Sequence, residues 1–343
     1  MTARTVTLLD VARAAGVSKS TASDALHGSG RVAEATRDRV REVAEQLGYR
    51  PNSAARRLRR ASTGAIGLYL PQTATRLDYY MNLAFGAVER AQEEGLDVVL
   101  LGSAAGAHGP LASRVDGLLV IDPELGDPAV PELLDAGVPV VTGERYPGPS
   151  PTPAAAVVCD NAASLSALLD HVHARGAKSP ALLAPEATSS WAQALRTAAA
   201  SWSAEHRIPV AVRTVPFAAT PAEAGDRTRA LLAADPAVDA VICAPDGAAP
   251  GVLRAATALG RSVGGDFLLA SCVDGVAARS CDPPITAIDL RPAEYGRACA
   301  DLLGDVLAGR APSGTVRRHD WLLETRASTG SGGPGADAAR SGR

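Results

Sequence analysis

The sequence predicts an α/β protein: a small all-helical module at the N-terminus, followed by two lobes built on parallel sheet. Three observations lead there. The first 60 residues carry apolar positions at helical spacing, interrupted by glycine. From Ala65 onward short apolar runs alternate with helical stretches, the pattern of βαβ units around a parallel sheet. The charge is also split, since residues 1–62 hold 12 Arg/Lys against 6 Asp/Glu, a net +6, while 63–343 hold 22 against 31, a net −9. A basic module on an acidic body is suited to meet a polyanion with one part only. With 343 residues, 46% hydrophobic and 21% charged, the chain can bury a large core without staples.

Taken in order, Thr7-Leu8-Leu9-Asp10 sets a hydroxyl three residues ahead of a carboxylate, a capping-box start, with Leu9, Val11, Ala12 and Ala15 as the apolar positions behind it. Gly16 permits a left-handed exit, and Ser18 caps a second helix over 19–27. Helix, glycine turn and helix make a helix-turn-helix. Ala22, Ala25 and Leu26 face inward at helical spacing, which leaves Lys19, Ser20, Ser23, Asp24 and His27 outward, available to bases. Val32, Thr36, Val40, Val43, Ala44 and Leu47 write a third helix that turns Arg37, Arg39 and Arg41 outward and stops at Gly48. In 51–60 one large apolar side chain, Leu58, stands among four arginines. Such a segment has nothing of its own to pack against, yet suits an electronegative groove.

In the body, strands are predicted at 66–70, 98–101, 117–121 and 138–141 with a helix over 82–93. A second set has strands at 181–184, 210–215, 238–244 and 267–270 with a helix over 191–205. Two lobes of one architecture follow. The Gly/Ser/Ala-rich end, 327–343, reads as a disordered tail.

The run Val6-Thr7-Leu8-Leu9-Asp10-Val11-Ala12-Arg13-Ala14-Ala15-Gly16-Val17-Ser18, then Ser20-Thr21-Ala22-Ser23, then Leu47-Gly48-Tyr49-Arg50-Pro51-Asn52, resembles the LacI/GalR (lactose-repressor) family of bacterial transcription regulators. The resemblance implies a helix-turn-helix domain over 1–50, a hinge helix over 51–62, and a two-lobed effector-binding and dimerisation domain over 63–326 that is similar to periplasmic sugar-binding proteins. The implied DNA contacts are Thr7, Ser18, Lys19, Ser20, Thr21, Ser23, Asp24 and His27, with Asn52, Ala55, Arg56 and Leu58 from the hinge, Leu58 as a minor-groove wedge. The implied partners are a near-palindromic operator, a second copy of the chain and a small carbohydrate effector. Pairing of dimers into tetramers, a corepressor or non-sugar ligand, and DNA binding without small-molecule control stay open. One departure bears on specificity: most members carry arginine where this chain has Asp24. An aspartate offers only acceptors, which fits the exocyclic amine of cytosine and not guanine; it can also simply point away from the bases.

For the effector, the resemblance matches Asp160-Asn161 at a lobe crossover, Asp246 and Asp274-Gly275 after strands, and Arg196 loosely to a second-lobe arginine. The ends of parallel strands are where open α/β sheets place ligands, and carboxylates there accept hydrogen bonds from sugar hydroxyls. Strand-end aspartates also cap the next helix, so that reading stays beside the first. Tyr79, Tyr80 and Trp191 offer ring faces for stacking. Pro245 stands where many members have asparagine, and 102–114 is short, with Pro110 where a helix would run.

Other classes find less. Gly102, Gly106 and Gly109 have the wrong spacing for a dinucleotide turn, and Pro110 breaks the helix it needs. His171 and His173 lie on different helix faces and make a poor metal pair. Five cysteines without a C-x-x-C read as reduced thiols. No catalytic residue, metal or cofactor is expected. No apolar stretch approaches the ~20 residues that span a bilayer, and none opens the chain as a leader, so a cytoplasmic, nucleoid-associated protein is expected.

Overall fold

The structure, a computed structural model, describes residues 6–27, 32–49, 62–71, 77–102, 110–149 and 152–330. The chain separates into two compact units, Met1–Ser62 and Thr63–Arg343. The first holds α1 (Leu8–Ala14), α2 (Lys19–His27) and α3 (Glu34–Gln46). Thr7 and Asp10 close the expected capping box, Thr7 Oγ1 accepting from the Asp10 N–H and Asp10 Oδ2 from the Thr7 N–H. That start sets the helix phase so that Leu8, Val11, Ala12 and Ala15 share the buried face. Leu9, expected inside, is 42% exposed, and Leu47 at the end of α3 is also exposed. Ala22 and Ala25, both fully buried, bring α2 close against Val40 and Ala44 of α3. The 51–61 segment, with Asn52, Ala55, Arg56 and Leu58, lies outside the described residues.

The second unit contains two six-stranded sheets. Lobe 1 is ordered β11-β5-β4-β3-β1-β2, all parallel, from β1 (Ala65–Tyr69), β2 (Asp97–Leu101), β3 (Gly117–Ile121), β4 (Val140–Gly143), β5 (Ala155–Cys159) and β11 (Thr315–His319). Lobe 2 is ordered β12-β10-β9-β8-β6-β7, from β6 (Pro180–Ala184), β7 (Ala211–Thr214), β8 (Ala240–Cys243), β9 (Leu268–Ser271), β10 (Thr286–Asp289) and β12 (Leu322–Glu324). Only β12 runs antiparallel to its neighbour. β1, β3, β6 and β8 are buried along their whole length because helices cover both faces, which is why they read as continuous apolar runs. In lobe 1, α4 (Asp78–Glu93) and α11 (Pro292–Leu307) cover one face and the short α5 (Ala129–Leu134) the other. In lobe 2, α6 (Asn161–Ala174) and α7 (Ser190–His206) cover one face, and α8 (Pro221–Ala234), α9 (Ala249–Ala258) and the single turn α10 (Val276–Arg279) the other.

Each lobe has one helix pair that touches backbone to backbone. A Cβ on Gly86 of α4 would stand 2.0 Å from the Ala293 carbonyl oxygen, and one on Gly251 of α9 would stand 1.7 Å from that of Pro221. Only glycine admits such crossings. The chain passes between lobes three times, at 159–161, 289–292 and 319–322.

The expected tail begins too early. Residues 327–329 form a 3-10 turn in which Ser328 and Thr329 are buried. Ser328 Oγ donates to the Leu269 carbonyl at 2.6 Å and accepts from the Thr286 N–H at 2.8 Å, so this small polar segment completes lobe 2; residues 331–343 lie outside the described ones. After Pro110 a 3-10 turn follows, Leu111–Ser113, while residues 103–109 lie outside the described ones. Among the described residues no helix is long and apolar enough to cross a membrane, and no three metal-ligating side chains converge.

Candidate functional site

In the first unit, Ser18 Oγ accepts from the Thr21 N–H at 3.0 Å and lies 2.8 Å from both Ser20 Oγ and Thr21 Oγ1, capping α2 with three hydroxyls. Thr7, Ser18, Lys19 and Ser20 are exposed; Thr21, Ser23 and Asp24 are half-buried. Lys19, Ser20, Ser23 and Asp24 share the α2 face opposite Ala22 and Ala25, as expected. His27 ends α2. Hydroxyls, an ammonium and a helix N-terminus on one face of a basic unit are the groups that hydrogen-bond phosphates and base edges.

In the second unit a small cavity of about 30 Å³ lies between the lobes, beside a larger one of about 300 Å³. Lobe 1 contributes Leu77, Tyr79, Tyr80, Asp122, Glu144 and Cys159; lobe 2 contributes Asn161, Trp191, Phe217, Asp246, Val273 and Leu290. The rings meet edge to face, Tyr79 on Tyr80 at 5.0 Å and Trp191 on Phe217 at 5.7 Å between centroids. A second cavity adjoins it through Glu144, Cys159 and Asn161 and is lined further by Arg145, Asp160, Ser190 and Arg318. The Ser190 hydroxyl there is buried without a partner.

Asp122 and Glu144 follow β3 and β4 directly, and both have left-handed backbone, φ 45° and 67°. Such strain costs on the order of 1–3 kcal/mol each and persists where the surroundings over-determine it. Their N–H groups extend the ladder, to Gly143 O and Val157 O, both at 2.8 Å, which holds the turns in place. Asp122 accepts from the Tyr80 hydroxyl at 2.6 Å. Glu144 accepts from the Cys159 N–H at 3.0 Å. Burial pushes the Asp122 carboxyl up to about 6, with the Glu124 charge adding to it and the Tyr80 hydrogen bond opposing. Burial and the Asp122 charge push Glu144 up to about 7, against the hydrogen bonds of Cys159 and Asn161. Asp246 is raised by burial, opposed by the Tyr79 N–H that it accepts across the lobes at 3.2 Å.

Of the residues expected at the effector, the structure brings Tyr79, Tyr80, Trp191 and Asp246 together at the cavity. Asp160 reaches only the second cavity and caps α6 by accepting from the Ala163 N–H at 3.0 Å. Two of the expected residues line neither cavity. Arg196 is spent on structure, donating to Pro185 O at 2.7 Å and to Thr214 Oγ1 at 2.9 Å, and so ties α7 to the ends of β6 and β7. Asp274 lines neither cavity. Arg326 grips both its oxygens at 2.7 and 2.8 Å and Arg279 adds a third contact at 2.9 Å. Burial alone would raise this carboxyl, but the two guanidiniums outweigh it and hold it below the usual carboxylate range. Asp122, Glu144 and Phe217 were missed. The strand-end rule that singled out Asp246 would have found Asp122 after 117–121; Glu144 was hidden because the strand before it extends to Gly143, two residues beyond the expected end. The two histidines are structural: His171 Nε2 bonds Thr329 Oγ1 at 2.8 Å, and His173 meets Trp202 edge-on.

Comparison with known proteins decides what this arrangement is. Residues 7–52 match the model for bacterial regulatory proteins of the lacI family, and 169–329 match a periplasmic binding protein-like domain. The HTH-type transcriptional regulator CelR of Thermobifida fusca is 30% identical over 94% of this chain and 96% of its own. The chain belongs to the LacI family. Among solved structures, the lac repressor dimer bound to operator and the anti-inducer ONPF superposes with a TM-score of 0.79 at 26% identity, over 96% of this chain and 100% of that one. A CelR–cellobiose complex gives 0.69 at 26%, over 94% and 99%. LacI-family members are DNA-binding transcriptional regulators rather than enzymes, and this chain is one of them.

Proposed function

We propose that this regulator is a homodimeric, sequence-specific repressor, acting in the cytoplasm at the nucleoid, that reads a near-palindromic operator and is released by a small carbohydrate held between its lobes. The observation that carries the effector reading is that the cavity draws its lining from both lobes, so that a ligand there binds one lobe arrangement better than any other. Hydrogen bonds already bridge the lobes, from the Tyr79 N–H to Asp246, from the Leu125 N–H to Thr188 O at 2.8 Å and between Asn161 and Glu144, and a shift between lobes must remake them. The cellobiose bound by the related CelR supports a sugar. Exposed Met81 and Phe85, one turn apart on α4, and Leu100 on edge strand β2 offer apolar surface to a second copy. For the operator, α2 carries the reading and the 51–60 segment is assigned to the minor groove, with Leu58 as the wedge.

Binding-site selection with the full chain, followed by fluorescence anisotropy on the selected operator with and without a sugar panel, tests this. A chain beginning at Thr63 is expected not to bind the operator, and parent affinity to fall steeply with salt. Asp24→Arg is expected to move one position of each half-site from cytosine toward guanine. Operator binding that persists without residues 1–62 sinks the DNA reading; affinity that no ligand alters sinks effector control.

A further inference from the structure

We propose that the effector is an organic cation, whose protonated amine the small inner cavity holds between the carboxylates of Asp122 and Glu144 and the rings of Tyr79, Trp191 and Phe217, while the rest of the molecule lies in the larger adjoining cavity. The inference rests on reading the cleft as an effector site and narrows the ligand's class. Three carboxylates, Asp122, Glu144 and Asp246, line this cavity, and no Lys, Arg or His does so among the described residues. Asp122 and Glu144 are 8% and 7% exposed, and neither makes an ion pair among the described residues. They leave neighbouring strands one residue past the Ile121–Gly143 register pair, so two like charges leave the sheet side by side.

Elsewhere the protein neutralises what it buries. Asp274, buried to a similar degree at 9% exposed, is met by two arginines. At Asp122 the only hydrogen-bond donor is a phenol, which takes Oδ2 and leaves Oδ1 without a partner among the described residues. A neutral polyol donates hydrogen bonds to such oxygens but leaves both charges uncompensated at a cost; an ammonium supplies donors and the missing charge together. Edge-to-face rings add to this, since an aromatic face attracts a cation and the desolvated setting strengthens the attraction. A metal ion is not the cation meant, because no three ligating side chains converge among the described residues. The adjoining cavity is mixed in charge, with Arg145 and Arg318 beside Glu144 and Asp160, and with the unpartnered Ser190 hydroxyl it takes the oxygen-rich remainder of the ligand.

The test uses the full chain at pH 7.5 and three matched pairs: glucosamine against glucose, galactosamine against galactose, and the β-1,4-linked glucosamine disaccharide against cellobiose. Calorimetry and melting temperature are read for each. At least one amine is expected to bind about tenfold or more tightly than its neutral partner. That preference is expected to fall below about threefold in both Asp122→Asn and Glu144→Gln, whose side chains keep size and lose charge. A neutral sugar that binds as well as its amine, or a preference that survives both substitutions, overturns the cationic ligand and leaves the effector reading standing. If no member of either series binds or moves the melting temperature, both fall. The parent comparison needs no variant, so a misfolded substitution does not stall it.

Discussion

The two lobes share an architecture and treat their strand-end carboxylates in opposite ways. In lobe 2, Asp274 is buried beneath Arg326 and Arg279 and kept ionised. In lobe 1, Asp122 and Glu144 are buried with no cation among the described residues, on strained backbone, and burial pushes their carboxyls up to about 6 and about 7. A carboxylate placed shortly after a strand is a brace in one lobe and, among the described residues, has no counter-ion in the other. Position after a strand therefore does not by itself separate a structural brace from a cavity-lining carboxylate.

The sharpest way to break this comparison begins with what the lobes have in common. Gly86→Ala and Gly251→Ala each drive a methyl into backbone, and each is expected to cost more than about 3 kcal/mol, seen as loss of soluble protein or of a cooperative melt. If one lobe tolerates its alanine, the lobes are not packed alike. Next in size, Arg326→Ala strips Asp274 of its bidentate partner and is expected to destabilise by about 3 kcal/mol, measured by urea unfolding at pH 7. A loss below about 0.5 kcal/mol would falsify the brace.

The lobe 1 carboxylates should respond with the opposite sign. Their folded values lie above the unfolded ones, so the native state binds the extra protons. Their stabilising contribution is full below about pH 4 and is lost as pH rises through 6 and 7. Asp122→Asn with Glu144→Gln is accordingly expected to raise the melting temperature by several degrees at pH 8, roughly 2–4 °C per kcal/mol, and by little near pH 4. A variant that melts lower than the parent at pH 8 removes the unmet charge from lobe 1. Smallest, Asp160→Ala is expected to cost about 1 kcal/mol as a lost helix cap while the ligand response remains; loss of that response makes Asp160 a ligand contact after all.

Much of the fold was legible because its elements are self-contained. The continuous apolar runs of β1, β3, β6 and β8 and the capped, glycine-ended helices of the first unit declare themselves locally. What was missed belongs to the second half of each lobe. β11 reads Thr-Val-Arg-Arg-His, an edge strand whose Arg317 pairs with Asp301 and Asp305 of α11 and whose Arg318 pairs with Asp160, so no apolar run marks it. The 327–330 segment has tail composition and is buried only because its hydroxyls find Leu269 and Thr286, partners more than 40 residues away. At the site, Tyr79, Tyr80 and Trp191 were readable as aromatic rings suited to stacking, and Asp246 as a strand-end carboxylate. The different fates of Asp274 and Asp122 were not, since they turn on whether Arg326, 52 residues along the chain, folds back over the carboxylate.

The three passages between lobes also order the birth of the molecule. Neither lobe is a contiguous stretch: lobe 1 waits for α11 and β11, and lobe 2 for β12 and Ser328. On the ribosome, at about 5–20 residues per second, roughly 10–30 s separate synthesis of β5 from that of β11. During that interval β5 is an open edge, and Leu83 and Ala87 of α4 lack the helix that covers them. The three N-terminal helices, whose core is drawn from residues 8–44, meet no such delay. Each newly made chain therefore has its DNA-reading helices before it has a cavity with which to sense anything.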